Sequence, residues 1–250
     1  MKILHKIYYF PRRILATIVK TIGNSFLQIF FLKVDHWLRI RCTASNVLTK
    51  RNGLKMNLDL VQLIDNQIYF ESTFEPLICK AFDRLVVPGM TVIDIGANVG
   101  IHTLYLARMV GVNGRVYAIE PTDWGFHKLL KNLALNPELK QTVDARQIAL
   151  TDKVIGTHEY QFRAQWSKSG DYVPLEEGKV LFTTLDGFVE IERLKKLDFI
   201  KLDVDGYETK ILIGGMVALT RFRPLLVVEM SDFFQRRAGN SAAEMIDILR

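Results

Sequence analysis

A loop with two glycines follows an acidic residue in the segment DIGANVG, residues 94–100. Gly96 allows the backbone to turn sharply out of a strand, and Gly100 allows a ligand or a neighbouring backbone to come close. The helix expected next presents unpaired N–H groups at its start, which suit an anionic group. A dinucleotide site usually has a third glycine, in the pattern G-x-G-x-x-G, so that the backbone can approach the pyrophosphate. The loop lacks that pattern, which favours a different ligand.

A second acid, Glu120, ends the next apolar run, RVYAIE. Its carboxylate can accept hydrogen bonds from both hydroxyls of a ribose, and Asp94 can meet an ammonium group directly or through water. S-adenosylmethionine carries a ribose, an ammonium, a carboxylate and a sulfonium but no pyrophosphate. We therefore expect S-adenosylmethionine as the cofactor. A nicotinamide-dependent oxidoreductase on a similar sheet stays open as the alternative.

The segment KLDVDGYE, residues 201–208, carries the second group of residues suited to chemistry. Residues two apart on a strand share a face, so Lys201, Asp203 and Asp205 are expected to point the same way. An acid there can accept the proton of a substrate hydroxyl. The alternative is that Asp203 only caps the following helix, with Lys201 as its ion-pair partner. Glu229 ends the next strand and is either a fourth catalytic candidate or a solvated strand end.

Metal binding is the least specific of these indications. Paired carboxylates offer the oxygen ligands that Mg²⁺ prefers, so Mg²⁺ stays open as an additional cofactor. The five histidines and two cysteines form no zinc-ligand spacing, so we name no metal-ligating residue. A lone histidine at a helix start, such as His102, more often has a structural role.

Short apolar, β-branched runs alternate with helical segments from residue 91 onwards. In order these are TVIDIG, HTLYLARMVG, RVYAIE, GFHKLLKNLALN, DARQIAL, DFIKLDV, TKILIGGMVAL, RPLLVVEM and SAAEMIDILR. The pattern predicts an α/β fold with a doubly wound, mostly parallel sheet that helices cover on both faces. Ligands of such sheets bind beyond the carboxyl ends of the strands. The candidate residues above all follow strands, so we expect them to gather at that edge.

Residues 1–45 are predicted to be a basic amphipathic extension, and residues 46–250 the catalytic domain. Residues 1–55 contain eleven Lys and Arg against one acid, a net charge of +10, whereas the rest of the chain is at −4. A helix over residues 11–34 would place apolar side chains in an i, i+4 row, Ile14, Ile18, Ile22, Phe26 and Phe30. That row packs either on the protein itself or on an anionic membrane surface.

Two further elements precede the alternating region. Asn52-Gly53 lies between two extended runs and predicts a hairpin turn, and a helix is expected over Phe74–Val86. Polar residues interrupt the apolar N-terminal run, so no spanning helix is expected. The cysteines are expected to be reduced in a cytoplasmic protein, with a peripheral position on the inner membrane face as an alternative. No nucleic-acid partner is expected, and the sequence does not indicate the oligomeric state.

Four segments resemble the FkbM family of methyltransferases: VIDIGANVGIHTLYLAR, VYAIEPTDWGFHKLLKNLALN, QIALTDKVIGTHEY and FIKLDVDGYETKILIGG. The resemblance implies the class I methyltransferase fold, S-adenosylmethionine as cofactor, and O-methylation of a sugar or natural-product hydroxyl. It implies as cofactor residues Asp94, Gly96, Asn98, Gly100 and Glu120. The family commonly has Glu where Asp205 stands, one methylene longer. The chain ends at Arg250 within or just after its last helix, so we expect a shortened C-terminus. A non-catalytic, membrane-docked remnant is the remaining alternative.

Overall fold

The computed structural model describes residues 33, 37, 39, 41–168 and 173–250. The chain divides into two units, Met1–Ala44 and Ser45–Arg250, and the fold below is that of the second unit. The amphipathic helix predicted over residues 11–34 lies outside the described residues, except for Lys33. Among the helices that the structure describes, none has both the length and the apolar character needed to cross a membrane.

The elements of this unit alternate as the sequence predicts. In chain order they are β1 (Val47–Arg51), β2 (Leu54–Leu58), α1 (Leu63–Glu71), α2 (Pro76–Leu85), β3 (Thr91–Ile95), α3 (Ile101–Val110), β4 (Arg115–Ile119), α4 (Asp123–Ala134), α5 (Pro137–Lys140), β5 (Val143–Arg146), β6 (Ile148–Leu150), β7 (Gly156–Phe162), β8 (Glu176–Thr183), α6 (Leu185–Ile191), β9 (Phe199–Leu202), α7 (Glu208–Ile213), α8 (Met216–Phe222), β10 (Leu225–Val228), α9 (Asp232–Arg237) and α10 (Ala242–Ile248).

Five parallel strands form the central sheet, in the order β10-β9-β3-β4-β5. The chain builds outward from β3 through β4 to β5 and then returns to the other side of β3 as β9 and β10. The strand order therefore reverses between β3 and β9, which is where a ligand site is expected in a doubly wound sheet. The predicted parallel α/β fold is confirmed.

The two faces of the sheet carry different residues because side chains alternate along each strand. Ile93 of β3 and Ile200 of β9 pack into a core with helices α6, α7, α8 and α10. Val92 and Phe199 face the opposite side, where Phe199 meets Phe82 of α2 with ring centroids 5.8 Å apart. Two positions further along, that second face carries Asp94, which pairs in register with a lysine of β9. A charged pair therefore sits within an otherwise apolar face.

The sequence prediction was wrong at two element boundaries. DARQIAL forms two strands because β5 pairs with β4, whereas β6 leaves the central sheet and pairs with β8. TKILIGGMVAL forms two helices that separate at Gly214 and Gly215. A Cβ on Gly214 would lie 2.1 Å from the carbonyl oxygen of Thr151, and one on Gly215 would lie 2.6 Å from Leu185. The two glycines therefore permit a close approach at the break between the helices.

A three-stranded sheet of order β6-β8-β7 stands beside the central one. Glu176, at the start of β8, accepts hydrogen bonds from the Trp124 N–H at 3.1 Å and from the Tyr160 hydroxyl. The Trp124 N–H belongs to the first turn of α4, where backbone donors lack intrahelical partners. Glu176 thus attaches this small sheet to the start of α4.

The predicted hairpin is confirmed. β1 and β2 pair antiparallel around Asn52 and Gly53, whose φ angles are +48° and +84°. Positive φ at both central residues is what a two-residue hairpin turn requires.

Two asparagines attach the hairpin to the rest of the fold. The side chain of Asn132 on α4 accepts from the Asn57 N–H at 2.8 Å and donates to the Val99 carbonyl at 2.8 Å. Asn136, four residues on, accepts from the Lys55 N–H and donates to the Lys55 carbonyl. Both side chains are fully buried. They therefore pair the free edge of β2, and Asn132 joins it to the loop that follows β3.

We expect Asn132→Ala to lower the free energy of unfolding by about 2–4 kcal/mol, because it leaves a buried N–H and a buried carbonyl unpaired. Denaturant titration measures the change. His127→Ala is the matched control, since within the described protein this exposed side chain bonds only to the Asp123 carbonyl of the same helix, and its expected loss is below about 1 kcal/mol. Equal losses in the two variants would show that the amide bridge does not hold the hairpin.

Candidate active site

The loop after β3 turns sharply at alternate residues. Gly96, Asn98 and Gly100 have φ angles of +82°, +47° and +84°. A Cβ on Gly96 would lie 1.9 Å from the carbonyl oxygen of Asp203, so no larger residue fits there without a shift of the backbone. The Oδ1 atom of Asn98 is buried and has no hydrogen-bond partner within the described protein. The loop therefore brings the ends of β3 and β9 together and leaves one acceptor free.

Glu120 lies directly after β4 and is nearly fully buried. One carboxylate oxygen accepts from the Asn98 N–H at 2.9 Å, and the other accepts from the backbone N–H of Thr122 at 3.0 Å and from its hydroxyl. Burial raises the pKa of Glu120 above its ordinary value, and these hydrogen bonds oppose the shift. Glu120 thus fixes the conformation of the loop after β3, besides facing the site.

Lys201 is buried at the junction of β3 and β9. Its ammonium lies 3.1 Å from Oδ2 of Asp203 and 3.5 Å from Oδ1 of Asp94, and it donates to the Gly96 carbonyl at 3.0 Å. Burial alone would lower the pKa of Lys201, but the charges of Asp203 and Asp94 raise it above its ordinary value. Lys201 is therefore charged at neutral pH. Asp94 is fully buried, and its other oxygen accepts from the Thr103 hydroxyl at 2.6 Å.

The pKa values of Asp203 and Glu229 are shifted in opposite directions, although the two carboxyl groups interact with each other. Burial would raise the pKa of Asp203, yet the ammonium of Lys201 holds it below its ordinary range. Burial and the charge of Asp203 raise the pKa of Glu229 to about 8. At neutral pH Asp203 is therefore ionised and Glu229 mostly carries the shared proton.

Asp205 does not lie on the extended strand as expected, because β9 ends at Leu202 and Asp205 has a φ angle of +54°. The strand argument holds for Lys201 and Asp203 only. Asp205 nevertheless lies near them: burial first, then the charge of Asp203, raises its pKa to about 7. The turn after β9 therefore places Asp205 in the same site as Lys201 and Asp203.

Glu208 holds this turn, a role that the sequence analysis did not assign. Its carboxylate accepts from the Val204 N–H at 2.8 Å and from the Gly206 N–H at 3.0 Å. Gln235 of α9 donates to the same carboxylate and accepts from the Thr209 hydroxyl at 2.7 Å. The sequence signal for this role was the position of Glu208 in KLDVDGYE, three residues after Asp205. Asp203 does not cap the helix, since α7 begins without a side-chain cap, and Glu208 instead holds the turn that precedes it.

Two cavities open at the carboxyl edge of the central sheet. The first, of about 390 Å³, is lined by Glu120, Thr122 and Tyr207 among others. The second, of about 260 Å³, is lined by Glu75, His102, Trp166, Lys201 and Glu229 among others. The two share a common set of lining residues: Gly96, Asn98, Asp203, Asp205 and Phe234.

Seven of the nine predicted site residues line these cavities. The other two, Asp94 and Gly100, lie beneath them: Asp94 faces Lys201, and a Cβ on Gly100 would meet Leu129 at 2.5 Å. Glu75 and Trp166, which no sequence motif singled out, also line the second cavity and come from segments outside the motifs. In the described part of the chain, no three His, Cys, Asp or Glu side chains form a cluster suited to a metal ion.

Comparison with known proteins gives one family. The family model of the methyltransferase FkbM domain matches residues 94–250. No curated protein sequence matches the chain significantly.

Several solved structures are similar to the chain. The methyltransferase FkbM from Methylobacillus flagellatus KT has a TM-score of 0.45 and 16% sequence identity, with 74% of this chain and 46% of that chain covered. The O-methyltransferase from Bacillus cereus in complex with SAH has a TM-score of 0.38 and 22% identity, with coverages of 61% and 54%. TYW2 from M. jannaschii in complex with AdoMet has a TM-score of 0.33 and 22% identity, with coverages of 44% and 48%. The chain thus spans about half the length of each of these proteins.

The family match bears on most of the site. It begins at Asp94, at the end of β3, and includes every candidate residue from the glycine loop to Glu229. The five-stranded parallel sheet with its added N-terminal hairpin is the class I methyltransferase fold that the resemblance implied. Since the match covers more than half of its residues, the chain belongs to the FkbM family of methyltransferases.

Proposed function

We propose that the chain is an S-adenosylmethionine-dependent methyltransferase that methylates a hydroxyl group of a sugar or natural product. One observation carries the proposal. The carboxylate of Asp203 lies 3.1 Å from the buried ammonium of Lys201 and lines both cavities, and Glu229 lines the second cavity beside it. A hydroxyl group held there would have a proton acceptor beside it.

The residues of the first cavity suit the cofactor. When bound, S-adenosylmethionine supplies a methyl group that its sulfonium sulfur makes electrophilic. Glu120 already accepts three hydrogen bonds from Asn98 and Thr122, and a carboxylate has about four acceptor positions, so one position is left for a ribose hydroxyl. The unpartnered Oδ1 of Asn98 is a further acceptor in the same wall.

Asp203 is the residue that we assign to the proton transfer. As the hydroxyl oxygen takes up the methyl group that the bound cofactor would supply, Asp203 would accept the hydroxyl proton. Lys201 keeps Asp203 ionised before the step and fixes the position of its carboxylate. Asp205 lines both cavities together with Asp203, and its pKa is raised to about 7. When protonated, Glu229 donates a hydrogen bond to Asp203 and thereby lowers the basicity of Asp203.

The family membership argues against the nicotinamide-dependent oxidoreductase that the sequence left open. Mg²⁺ is not needed for the proton transfer proposed here.

We expect purified protein to transfer a labelled methyl group from S-adenosylmethionine to at least one member of a panel of sugars and small hydroxyl compounds. Asp203→Asn should lower turnover by about 10²–10⁴-fold, because the amide cannot accept the proton. Cofactor affinity, measured by calorimetry, should change by only a few fold. Asp247→Asn, the same change on the exposed face of α10, should leave both unchanged. Normal turnover in Asp203→Asn would exclude Asp203 as the base.

The rate should also depend on the proton of Glu229. We expect turnover at saturating cofactor to rise as the pH passes through about 8, the pKa of Glu229, because Asp203 becomes a stronger base once Glu229 stops donating to it. The amide of Glu229→Gln can donate to Asp203 at every pH, so this variant should lose the rise in turnover near pH 8. It should keep a rise near pH 7, which is the pKa of Asp205. Turnover measured from pH 6 to 9 tests this. Identical profiles in the two proteins would contradict it.

Contact of residues 1–45 with an anionic membrane remains a proposal that rests on the charge of that extension, and a cytoplasmic location one that rests on the expectation of reduced cysteines. We expect the full chain to sediment with anionic vesicles at low salt and a chain beginning at Val47 to stay in solution, because each basic residue near acidic lipid contributes up to about 1 kcal/mol. If both stay in the supernatant, the extension does not bind membranes.

A further inference from the structure

His102 presents an unused hydrogen-bond acceptor to the second cavity. The side chain is 4% exposed, and its Nε2 atom has no hydrogen-bond partner within the described protein. Burial, and next the charge of Lys201, lower the pKa of His102 to about 4, so the ring is neutral. The backbone carbonyl of Phe74 receives a hydrogen bond from the ring, which leaves the proton on the other nitrogen, Nδ1. His102 lines the second cavity, and Nε2 is the ring nitrogen that keeps a free lone pair.

Glu75 places a second acceptor next to it. One of its carboxylate oxygens lies 3.8 Å from Nε2 of His102, which is too far for a hydrogen bond between them. Glu75 is the first residue before α2, yet its side chain does not cap that helix. Its φ and ψ angles are +47° and +70°, a left-handed conformation that costs a residue with a side chain about 1–3 kcal/mol. Strain of this kind often occurs where a side chain serves a ligand.

The 3.8 Å between Nε2 of His102 and the carboxylate of Glu75 limits which chemical group can bind both of them. A group that bridges them must donate two hydrogens, which one hydroxyl does not have and an ammonium does. The charges also favour a cation: the carboxyl groups of Glu75 and Asp203 line this cavity, and Lys201, which already pairs with Asp203, is the one cation among its described lining residues. A primary ammonium group therefore fits better than a hydroxyl or any anion.

We propose that Glu75 and His102 bind the α-ammonium group of the cofactor, which assigns a binding role to His102 in place of the structural one expected from sequence. The inference rests on the proposed function. The second cavity is lined by the loop residues Gly96 and Asn98, which also line the first. If the ribose of the cofactor binds Glu120 and the rest of the molecule extends past this loop, its amino-acid end would lie near Glu75. An amino group on the methyl acceptor has the same chemistry, and the experiment separates the two sources.

Calorimetry with two adenosine compounds tests the proposal without turnover. S-adenosylhomocysteine carries the amino-acid end, and 5′-methylthioadenosine lacks it. We expect Glu75→Gln to weaken S-adenosylhomocysteine binding by about 10- to 100-fold, the loss of a charge-assisted hydrogen bond, and to change methylthioadenosine binding less than about twofold. His102→Phe should also weaken S-adenosylhomocysteine binding, but by a smaller factor. Unchanged methylthioadenosine binding shows that each variant is folded. Glu190→Gln, an exposed carboxylate at the end of α6, is the matched control and should change neither affinity.

Several outcomes would overturn the inference. Tighter binding of S-adenosylhomocysteine to Glu75→Gln would mean that Glu75 faces the cofactor's carboxylate. Unchanged binding of both compounds together with a raised KM for the acceptor would place the ammonium on the acceptor. Equal weakening of both compounds would make Glu75 structural. If the unaltered protein binds neither compound, the proposed function itself fails, whereas the other outcomes leave it standing.

Discussion

The buried ammonium of Lys201 is the interaction on which the site depends. It lies where the strand order reverses, between β3 and β9, and its partners come from both strands and from the loop after β3. A buried charge is costly unless oppositely charged and polar groups surround it, so this geometry is strongly constrained. The loss of one partner from such a group costs about 3–5 kcal/mol in other proteins. The same contacts therefore hold the two strand ends together and set the charge of Asp203.

The protonation states of the neighbouring acids follow from that charge. Asp203 contacts the ammonium and stays ionised, and its own negative charge then raises the pKa values of Glu229 and Asp205. Three carboxyl groups in a small volume thus avoid a threefold negative charge. The arrangement yields one carboxylate beside a fixed positive charge and two carboxyl groups whose pKa values lie near neutral pH.

Backbone groups around the site are satisfied by polar side chains from distant segments. Glu120 pairs with the loop after β3, Glu208 pairs with the turn after β9, and Asn132 joins the hairpin to the loop. Loops that carry buried N–H groups need such partners, because an unpaired buried group costs as much as a lost hydrogen bond. These side chains hold both cavity walls in place, whereas Oδ1 of Asn98 and Nε2 of His102 have no hydrogen-bond partner within the described protein.

The sequence by itself determined the alternation of strands and helices, the hairpin turn at Asn52-Gly53 and the glycine loop, because side-chain periodicity and the φ demands of short turns are local properties. It also placed the acids at strand ends, and parallel strands bring such ends together. Only the tertiary structure decided where DARQIAL changes sheets, how Asp205 turns off its strand and which acid keeps the proton. Sheet pairing is long-range, and a pKa depends on burial and on charges from several elements at once. Glu75 and His102, 27 positions apart in the chain, become neighbours only when α2 and α3 pack together, so no local pattern could have joined them.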